Sequence, residues 1–195
     1  SYLGDQTGVY RAMDKLGSAG VSAIAAEAKV DERYLKEWLA SNAARGYVSY
    51  DAEADKFSLT PEQASVFARE SEPTCIQGLI QGVVGQFVKE DVAIDVFKTG
   101  RGRPWGEHHE CCFCGTERFF RPAYAGHLLD EWIPALDGVE DKLKLGAKVA
   151  DIGCGLGTSS ILMAEQFPNS TIHAFDFHGP SIEEAKKRAN EKGLT

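Results

Sequence analysis

The stretch Lys148-Val-Ala-Asp-Ile-Gly-Cys-Gly-Leu-Gly157 decides the fold of the C-terminal part of this chain. Its first five residues form a short run typical of a buried strand, and three alternating glycines follow directly. Residues 158–166 then have the composition of a helix. A strand that turns through glycines into a helix brings backbone N–H groups and the positive end of the helix dipole to one point. The stretch therefore predicts a ligand-binding loop.

A second strand and helix follow this loop. Residues 171–176 read as a strand that ends in Asp176, and Ser181 is predicted to open the last helix with Glu184 as its capping-box partner. The order strand, loop, helix, strand, helix is a βαβα unit. An acid at the carboxyl end of the second strand can accept both hydroxyls of a ribose. Loop and acid together predict a site for an adenosine-containing ligand; the alternative is a glycine-rich turn beside a solvated acid.

The glycine spacing and one neighbouring charge narrow the choice of ligand. Dinucleotide enzymes use G-x-G-x-x-G, whereas this loop reads G-x-G-x-G with Asp151 close before it. A carboxylate there would repel a pyrophosphate and favour a cationic ligand. S-adenosylmethionine, a sulfonium with an ammonium group, therefore fits better than a nicotinamide dinucleotide, and a nicotinamide oxidoreductase remains the minor alternative.

The N-terminal residues have the pattern of a winged helix-turn-helix. Asp31 is predicted to cap a helix that carries Leu35, Trp38 and Leu39 on one face and ends near Gly46. Residues 47–50 and 56–59 flank an acidic turn, which indicates a β-hairpin. A further helix is predicted to start at Thr60-Pro61-Glu62.

The middle of the chain is less informative. Residues 75–98 are apolar and predict one or two helices, 99–116 read as a loop, and 118–136 as a helix. The apolar helices suit either a partly hydrophobic substrate or a core and dimer interface. We predict three parts: a winged-helix and dimerisation domain at 1–72, a helical linker and substrate lid at 73–138, and the first βαβα unit of a ligand-binding domain at 139–195.

Composition excludes several classes of protein. Hydrophobic residues make up 43% and charged residues 26% of the chain, which is typical of a globular protein and not of a disordered one. A net charge of −8 argues against a nucleic-acid partner. No apolar run approaches the roughly 18 residues that a membrane span needs, and no secretory signal is visible. Five cysteines, an odd and clustered set, favour reduced thiols and a cytoplasmic location.

The segment His108-His-Glu-Cys-Cys-Phe-Cys114 allows two interpretations. Its histidines and thiols could ligate zinc. Adjacent cysteines, however, wrap a metal ion poorly. We therefore predict no metal site and favour a structural loop near the substrate opening.

Residues 149–157 resemble motif I of the class I S-adenosylmethionine-dependent methyltransferases, and Ala174-Phe-Asp-Phe177 resembles their second motif. The resemblance implies that the loop surrounds the methionine and sugar portions of the cofactor. It further implies that Asp176 binds the ribose hydroxyls and that Phe177 lies beside the adenine. The predicted cofactor-binding residues are Asp151, Gly153, Cys154, Gly155, Gly157, Thr158, Asp176 and Phe177.

The chain as a whole is similar to a subgroup of small-molecule methyltransferases with an N-terminal winged helix, through 31–39, Gly46-Tyr-Val, 57–64, 131–135 and 180–183. The resemblance implies a small-molecule methyl acceptor and a homodimer formed through the N-terminal helices. The expected fold is a truncated Rossmann-like α/β class I methyltransferase fold preceded by a mainly helical winged-helix domain. Because the family has a seven-stranded sheet and only two strands are predicted here, we expect a fragment that is inactive alone.

Two points about function remain open at this stage. His127, His173 and His178 are the available neutral-pH bases, but none is assigned a catalytic role. The competing function is a DNA-binding regulator that uses the winged helix. Residues 20–60 carry five basic and seven acidic side chains, the wrong balance for phosphate contact.

Overall fold

The structure is a computed structural model and describes residues 1–194. The chain divides into two compact units, one that ends at Gln81 and one that starts at Gly82. The predicted three-part division, with boundaries at 72/73 and 138/139, stays a prediction. Within residues 1–194, no helix is both long enough and apolar enough to cross a membrane.

The first unit has the element order of a winged helix. Helices α1 (Tyr2–Gln6), α2 (Val9–Leu16), α3 (Val21–Ala28) and α4 (Glu32–Ala44) precede strands β1 (Ser49–Asp51) and β2 (Lys56–Ser58), and α5 (Pro61–Phe67) follows. The two strands form an antiparallel hairpin in which Tyr50 lies opposite Phe57. Helix α6 (Gln77–Val88) runs from the first unit into the second.

Local sequence explains where α4 begins and which side it buries. The Asp31 side chain accepts a hydrogen bond from the backbone N–H of Tyr34 at 3.0 Å and so caps the helix. Leu35 and Leu39 lie one helical turn apart and are both buried in the core of the unit. Trp38, predicted on the same face, is half-buried against that core. The predicted start and inner face of this helix are confirmed.

The second unit is helical before it reaches its sheet. It contains α7 (Glu90–Thr99), a 3-10 turn (Trp105–Glu107), α8 (Glu110–Ala123), a π-helix (Tyr124–Trp132) and α9 (Val139–Leu145). The prediction of a loop through residue 116 is wrong from Glu110 onward, because His109 Nδ1 accepts the backbone N–H of Cys111 at 3.2 Å and caps α8. The helix predicted at 118–136 changes from α to π winding just after Pro122, which lacks a backbone N–H.

The last part forms the predicted βαβα unit. Strands β3 (Lys148–Ile152) and β4 (Thr171–Phe175) pair in parallel, with Asp151 opposite Ala174. Helix α10 (Thr158–Gln166) connects them, and α11 (Gly179–Glu191) follows. The prediction that Ser181 opens α11 is wrong, since the helix already begins at Gly179. A small core of Ile133, Leu143 and Phe167 lies beside this sheet. Parallel pairing places the ends of β3 and β4, with Gly153 and Asp176, at the same edge.

Candidate functional site

The glycine loop between β3 and α10 depends on backbone conformations that favour glycine. Gly153, Gly155 and Gly157 have φ angles of 78°, 55° and 80°, all in the left-handed region. A Cβ atom added at Gly153 or Gly155 would meet nothing within 4 Å, so the backbone there borders open space. A Cβ atom at Gly157 would lie 2.9 Å from Cβ of Ala185 in α11. The first two glycines therefore leave room for a ligand, and the third permits close packing of the two helices.

Asp176 directly follows β4 and turns its carboxylate toward this loop. Its Oδ2 accepts the backbone N–H of Gly155 at 2.9 Å, and its Oδ1 accepts that of His178 at 2.8 Å. Each carboxylate oxygen has two lone pairs, so each can accept one further hydrogen bond. The arrangement can receive two neighbouring hydroxyl groups. Phe177, next along the chain, is 79% exposed.

Asp151 lies in β3, directly before the loop. Its Oδ2 accepts hydrogen bonds from the hydroxyls of Ser159 at 2.7 Å and Ser160 at 2.6 Å. Both serines belong to the first turn of α10, where a carboxylate also favours the positive helix end. The second residue of that loop, Cys154, is buried, and burial is the main reason that the pKa of its thiol is raised. At neutral pH the loop therefore contributes a neutral thiol and a fixed negative charge.

A cavity of about 280 Å³ lies over the loop. Asp151 and Glu117 contribute carboxylates to its wall, and Thr158 and Ser159 contribute hydroxyls. The other lining residues are Trp105, Phe113, Thr116, Phe120, Tyr124, Ile152, Gly153, Cys154, Gly155, Leu156 and Ser181. A cavity with aromatic rings and carboxylates suits a ligand that is partly apolar and positively charged.

A larger cavity of about 530 Å³ lies between α10, α11 and β4. It is lined mainly by small and aliphatic side chains, and its lining includes neither of the predicted acids, Asp151 and Asp176. The smaller cavity is the better candidate site because it contains the glycine loop and two carboxylates.

Sequence reasoning missed Glu117 and the aromatic wall. The Glu117 side chain is only 10% exposed, and its Oε1 accepts hydrogen bonds from Thr158 Oγ1 at 3.1 Å and from Arg188 Nη1 at 3.2 Å. The rings of Trp105 and Phe113 lie 5.2 Å apart, and Phe113 lies 4.7 Å from the ring of His178. No sequence spacing indicates these contacts, because they join segments that are dozens of residues apart.

The cysteine and histidine segment has structural contacts. A Cβ atom at Gly85 would come within 2.7 Å of Cys112 Sγ, so α6 packs closely on this buried thiol. His109 caps α8 through its ring nitrogen. Among residues 1–194, no three His, Cys, Asp or Glu side chains form a group that could hold a metal ion. These contacts favour the structural interpretation of the segment over the zinc site.

The three histidines considered as bases lie outside the cavity wall. His127 pairs with Glu131 at 3.1 Å, His173 is exposed on β4, and His178 shares a hydrogen bond with the Ser181 hydroxyl at 2.8 Å. None is among the described residues that line the 280 Å³ cavity. The structure thus gives no reason to assign one of them a catalytic role.

Two family models match separate parts of the chain. Residues 1–69 match the Rv2258c-like winged HTH domain, and residues 143–195 match a methyltransferase domain. The chain joins a winged helix-turn-helix domain to a methyltransferase domain. This confirms the fold class expected from the sequence. The glycine loop and Asp176 both lie within the matched methyltransferase domain.

Solved structures with the same fold contain small-molecule methyltransferases. Mitomycin 7-O-methyltransferase MmcR is 16% identical with a TM-score of 0.65 over 99% of this chain and 57% of its own. Human N-acetylserotonin methyltransferase in complex with SAM is 15% identical with a TM-score of 0.64 over 95% of this chain and 56% of its own. PigF with SAH is 14% identical with a TM-score of 0.63 over 98% of this chain and 58% of its own. The chain thus spans little more than half the length of these structures, and no curated protein matches its sequence.

Proposed function

We propose that the full-length protein containing this chain is an S-adenosylmethionine-dependent methyltransferase that acts on a small molecule. The observation that carries the proposal is the open glycine curl with Asp176 turned toward it. Space over Gly153 and Gly155 admits a nucleoside, and the Asp176 oxygens can accept its sugar hydroxyls. The titles of two structural relatives, which name SAM and SAH, support the same ligand class.

The proposed binding residues divide the cofactor between them. Asp176 holds the ribose, and Phe177 lies beside the adenine. The glycine loop with Cys154, Asp151 and Thr158 borders the methionine portion. Gly157 acts indirectly, since its missing side chain allows α11 to pack against α10.

When bound, the cofactor supplies an activated methyl group. The work of the chain is mainly to position the ligand, and good orientation is worth up to roughly 7–11 kcal/mol of a reaction barrier. The aromatic wall of the cavity excludes water around the carboxylates, which strengthens their interaction with a cation. A general base is needed only if the methyl acceptor has a proton to lose.

The ribose assignment is tested by replacing Asp176. In the full-length protein, Asp176→Ala is expected to weaken binding of S-adenosylhomocysteine at least tenfold, because two acceptors for sugar hydroxyls are lost. Isothermal titration calorimetry measures this directly. Asp137→Ala, which removes an exposed acid outside the cavity, is the matched control. Equal affinity of the Asp176→Ala and wild-type proteins would contradict the assignment.

We further propose that the winged-helix domain serves dimerisation in the cytoplasm and binds no nucleic acid. The first unit exposes Leu3 by 61% and Tyr34 by 73%, beside an apolar cavity of about 380 Å³ that Trp38 also lines. Apolar side chains grouped in this way suit a contact with a second copy. The acidic balance of residues 20–60 is unfavourable for DNA.

A further inference from the structure

Glu117 is a buried carboxylate at the meeting point of three helices. It belongs to α8, and its Oε1 receives hydrogen bonds from Thr158 in α10 and Arg188 in α11. Its Oε2 lies 3.5 Å from Nη1 of Arg121, one turn further along α8. Burying an ionised carboxylate is costly unless it is paired and hydrogen-bonded. The local fold therefore invests several partners in keeping this charge at this position.

The contact to Thr158 lies beside the cofactor loop. Thr158 is the first residue of α10 and directly follows Gly157. The wall of the 280 Å³ cavity is formed on one side by Phe113, Thr116, Glu117 and Phe120 of α8, and on the other by the loop and the start of α10. The hydrogen bond between Glu117 and Thr158 spans these two sides. It thus helps to set the width of the cavity.

The cavity and the proposed ribose acceptor are adjacent and distinct. Asp176 contacts Gly155 from the direction of β4 and is not among the residues that line the cavity. Asp151, Gly155 and Thr158 do line it. A ligand whose sugar is held at Asp176 therefore places the part beyond the sugar in the cavity between the loop and α8.

We propose that Glu117 is a positioning residue for the amino-acid end of the cofactor, acting through Thr158 and Arg188. The inference rests on the proposed function. Glu117 fixes α8 against the start of α10, and so holds the cavity at the width that fits this end of the ligand. Its effect is confined to ligands that reach past the ribose.

Four variants of the full-length protein separate this role from simple stabilisation. Thr158→Val removes the hydroxyl and leaves the ion pair of Glu117 with Arg188, whereas Glu117→Gln removes the charge and keeps an acceptor for Thr158. Thr158→Ser keeps a hydroxyl. Glu184→Gln is the matched control, because Glu184 pairs with the same arginine at 2.9 Å but is more exposed and does not line the cavity.

Calorimetric titration with two ligands provides the test. S-adenosylhomocysteine has the amino-acid end, and 5′-methylthioadenosine shares the nucleoside but lacks that end. Thr158→Val and Glu117→Gln are expected to weaken S-adenosylhomocysteine about tenfold, the usual effect of losing one hydrogen bond to a charged group. Binding of 5′-methylthioadenosine is expected to change less than about twofold. Thr158→Ser should restore the affinity that Thr158→Val loses, and Glu184→Gln should bind both ligands as the wild type does.

The outcomes distinguish this inference from the proposed function. Equal losses for both ligands would mean that Glu117 only stabilises the fold, and unchanged affinity for both would mean that it has no role in binding; either result overturns the inference and leaves the proposed function standing. Asp176→Ala should weaken both ligands, because both contain the ribose. If the wild-type protein binds neither ligand, the proposed function fails and the inference fails with it.

Discussion

Gly155 and Gly157 are two residues apart in the same loop, yet the structure requires them for different reasons. Both have positive φ angles, but only at Gly157 would an added Cβ atom collide, 2.9 Å from that of Ala185. Gly157→Ala is therefore expected to lower the free energy of unfolding by about 2–4 kcal/mol, since backbone strain and overpacking of α10 on α11 act together. Urea denaturation of the purified protein measures the loss.

Gly155→Ala is the comparison for this variant. Its φ of 55° is close to the left-handed helical minimum and its Cβ atom would face open space, so only the backbone penalty of roughly 1–2 kcal/mol applies. A loss for Gly157→Ala no greater than that for Gly155→Ala would show that the helix contact is unimportant.

Side chains differ in how well their surroundings could be foreseen. Gly153 and Asp176 were predictable, because each follows a recognisable strand and parallel strands end at one edge of a sheet. The assignment of ligand contacts to these residues stays a prediction. Glu117 could not be foreseen, because its neighbours Thr158 and Arg188 are brought to it by tertiary packing and by no local periodicity.

Helix α5 illustrates how a short sequence signal fixes the start of a helix. Thr60 Oγ1 accepts the backbone N–H of Gln63 at 3.2 Å, and Gln63 Oε1 accepts that of Thr60 at 2.8 Å. Thr60→Ala removes half of this capping box and is expected to destabilise the protein by about 1 kcal/mol. Chemical denaturation followed by circular dichroism would detect the change.

Ser41→Ala provides the control for the capping prediction. Ser41 is exposed within α4, where alanine is a better helix former than serine. Its replacement should leave stability unchanged or slightly higher. If Thr60→Ala were as stable as Ser41→Ala, the capping box would contribute nothing measurable.

The helices around the site show where local patterns fail. The start of α5 at Pro61 was predictable from Thr60-Pro61, whereas α8 begins inside a segment whose glycines and Pro104 suggested a loop. The histidine cap at His109 outweighs that composition. A pattern of apolar residues also cannot separate α from π winding, so the change after Pro122 was not visible in the sequence.

Charge decides which partners the protein can attract. The chain carries a net charge of −8, and its winged-helix region is itself acidic. No band shift is therefore expected in an electrophoretic assay with random duplex DNA at low salt, the condition that most favours nonspecific binding. Micromolar binding that weakens with added salt would contradict this prediction and revive the regulator alternative.

The order of secondary structure along the chain was largely predictable, and the arrangement of the cavity was not. Winged-helix order and the βαβα unit follow from caps, turns and short apolar strands, and both are confirmed. The cavity wall depends on contacts such as that between Trp105 and Phe113, which form only when α8 has packed. Local physics determines helices and strands, whereas the shape of a binding site depends on packing between distant segments.

The two amide contacts to Asp176 have a consequence for the kinetics of recognition. Backbone N–H groups of Gly155 and His178 already hold both carboxylate oxygens in place. Immobilising a free side chain on binding costs about 0.5–1.5 kcal/mol, and here that entropy is lost during folding instead. A sugar that arrives meets a preorganised pair of acceptors, so encounter with this part of the site proceeds without waiting for a rotamer to change.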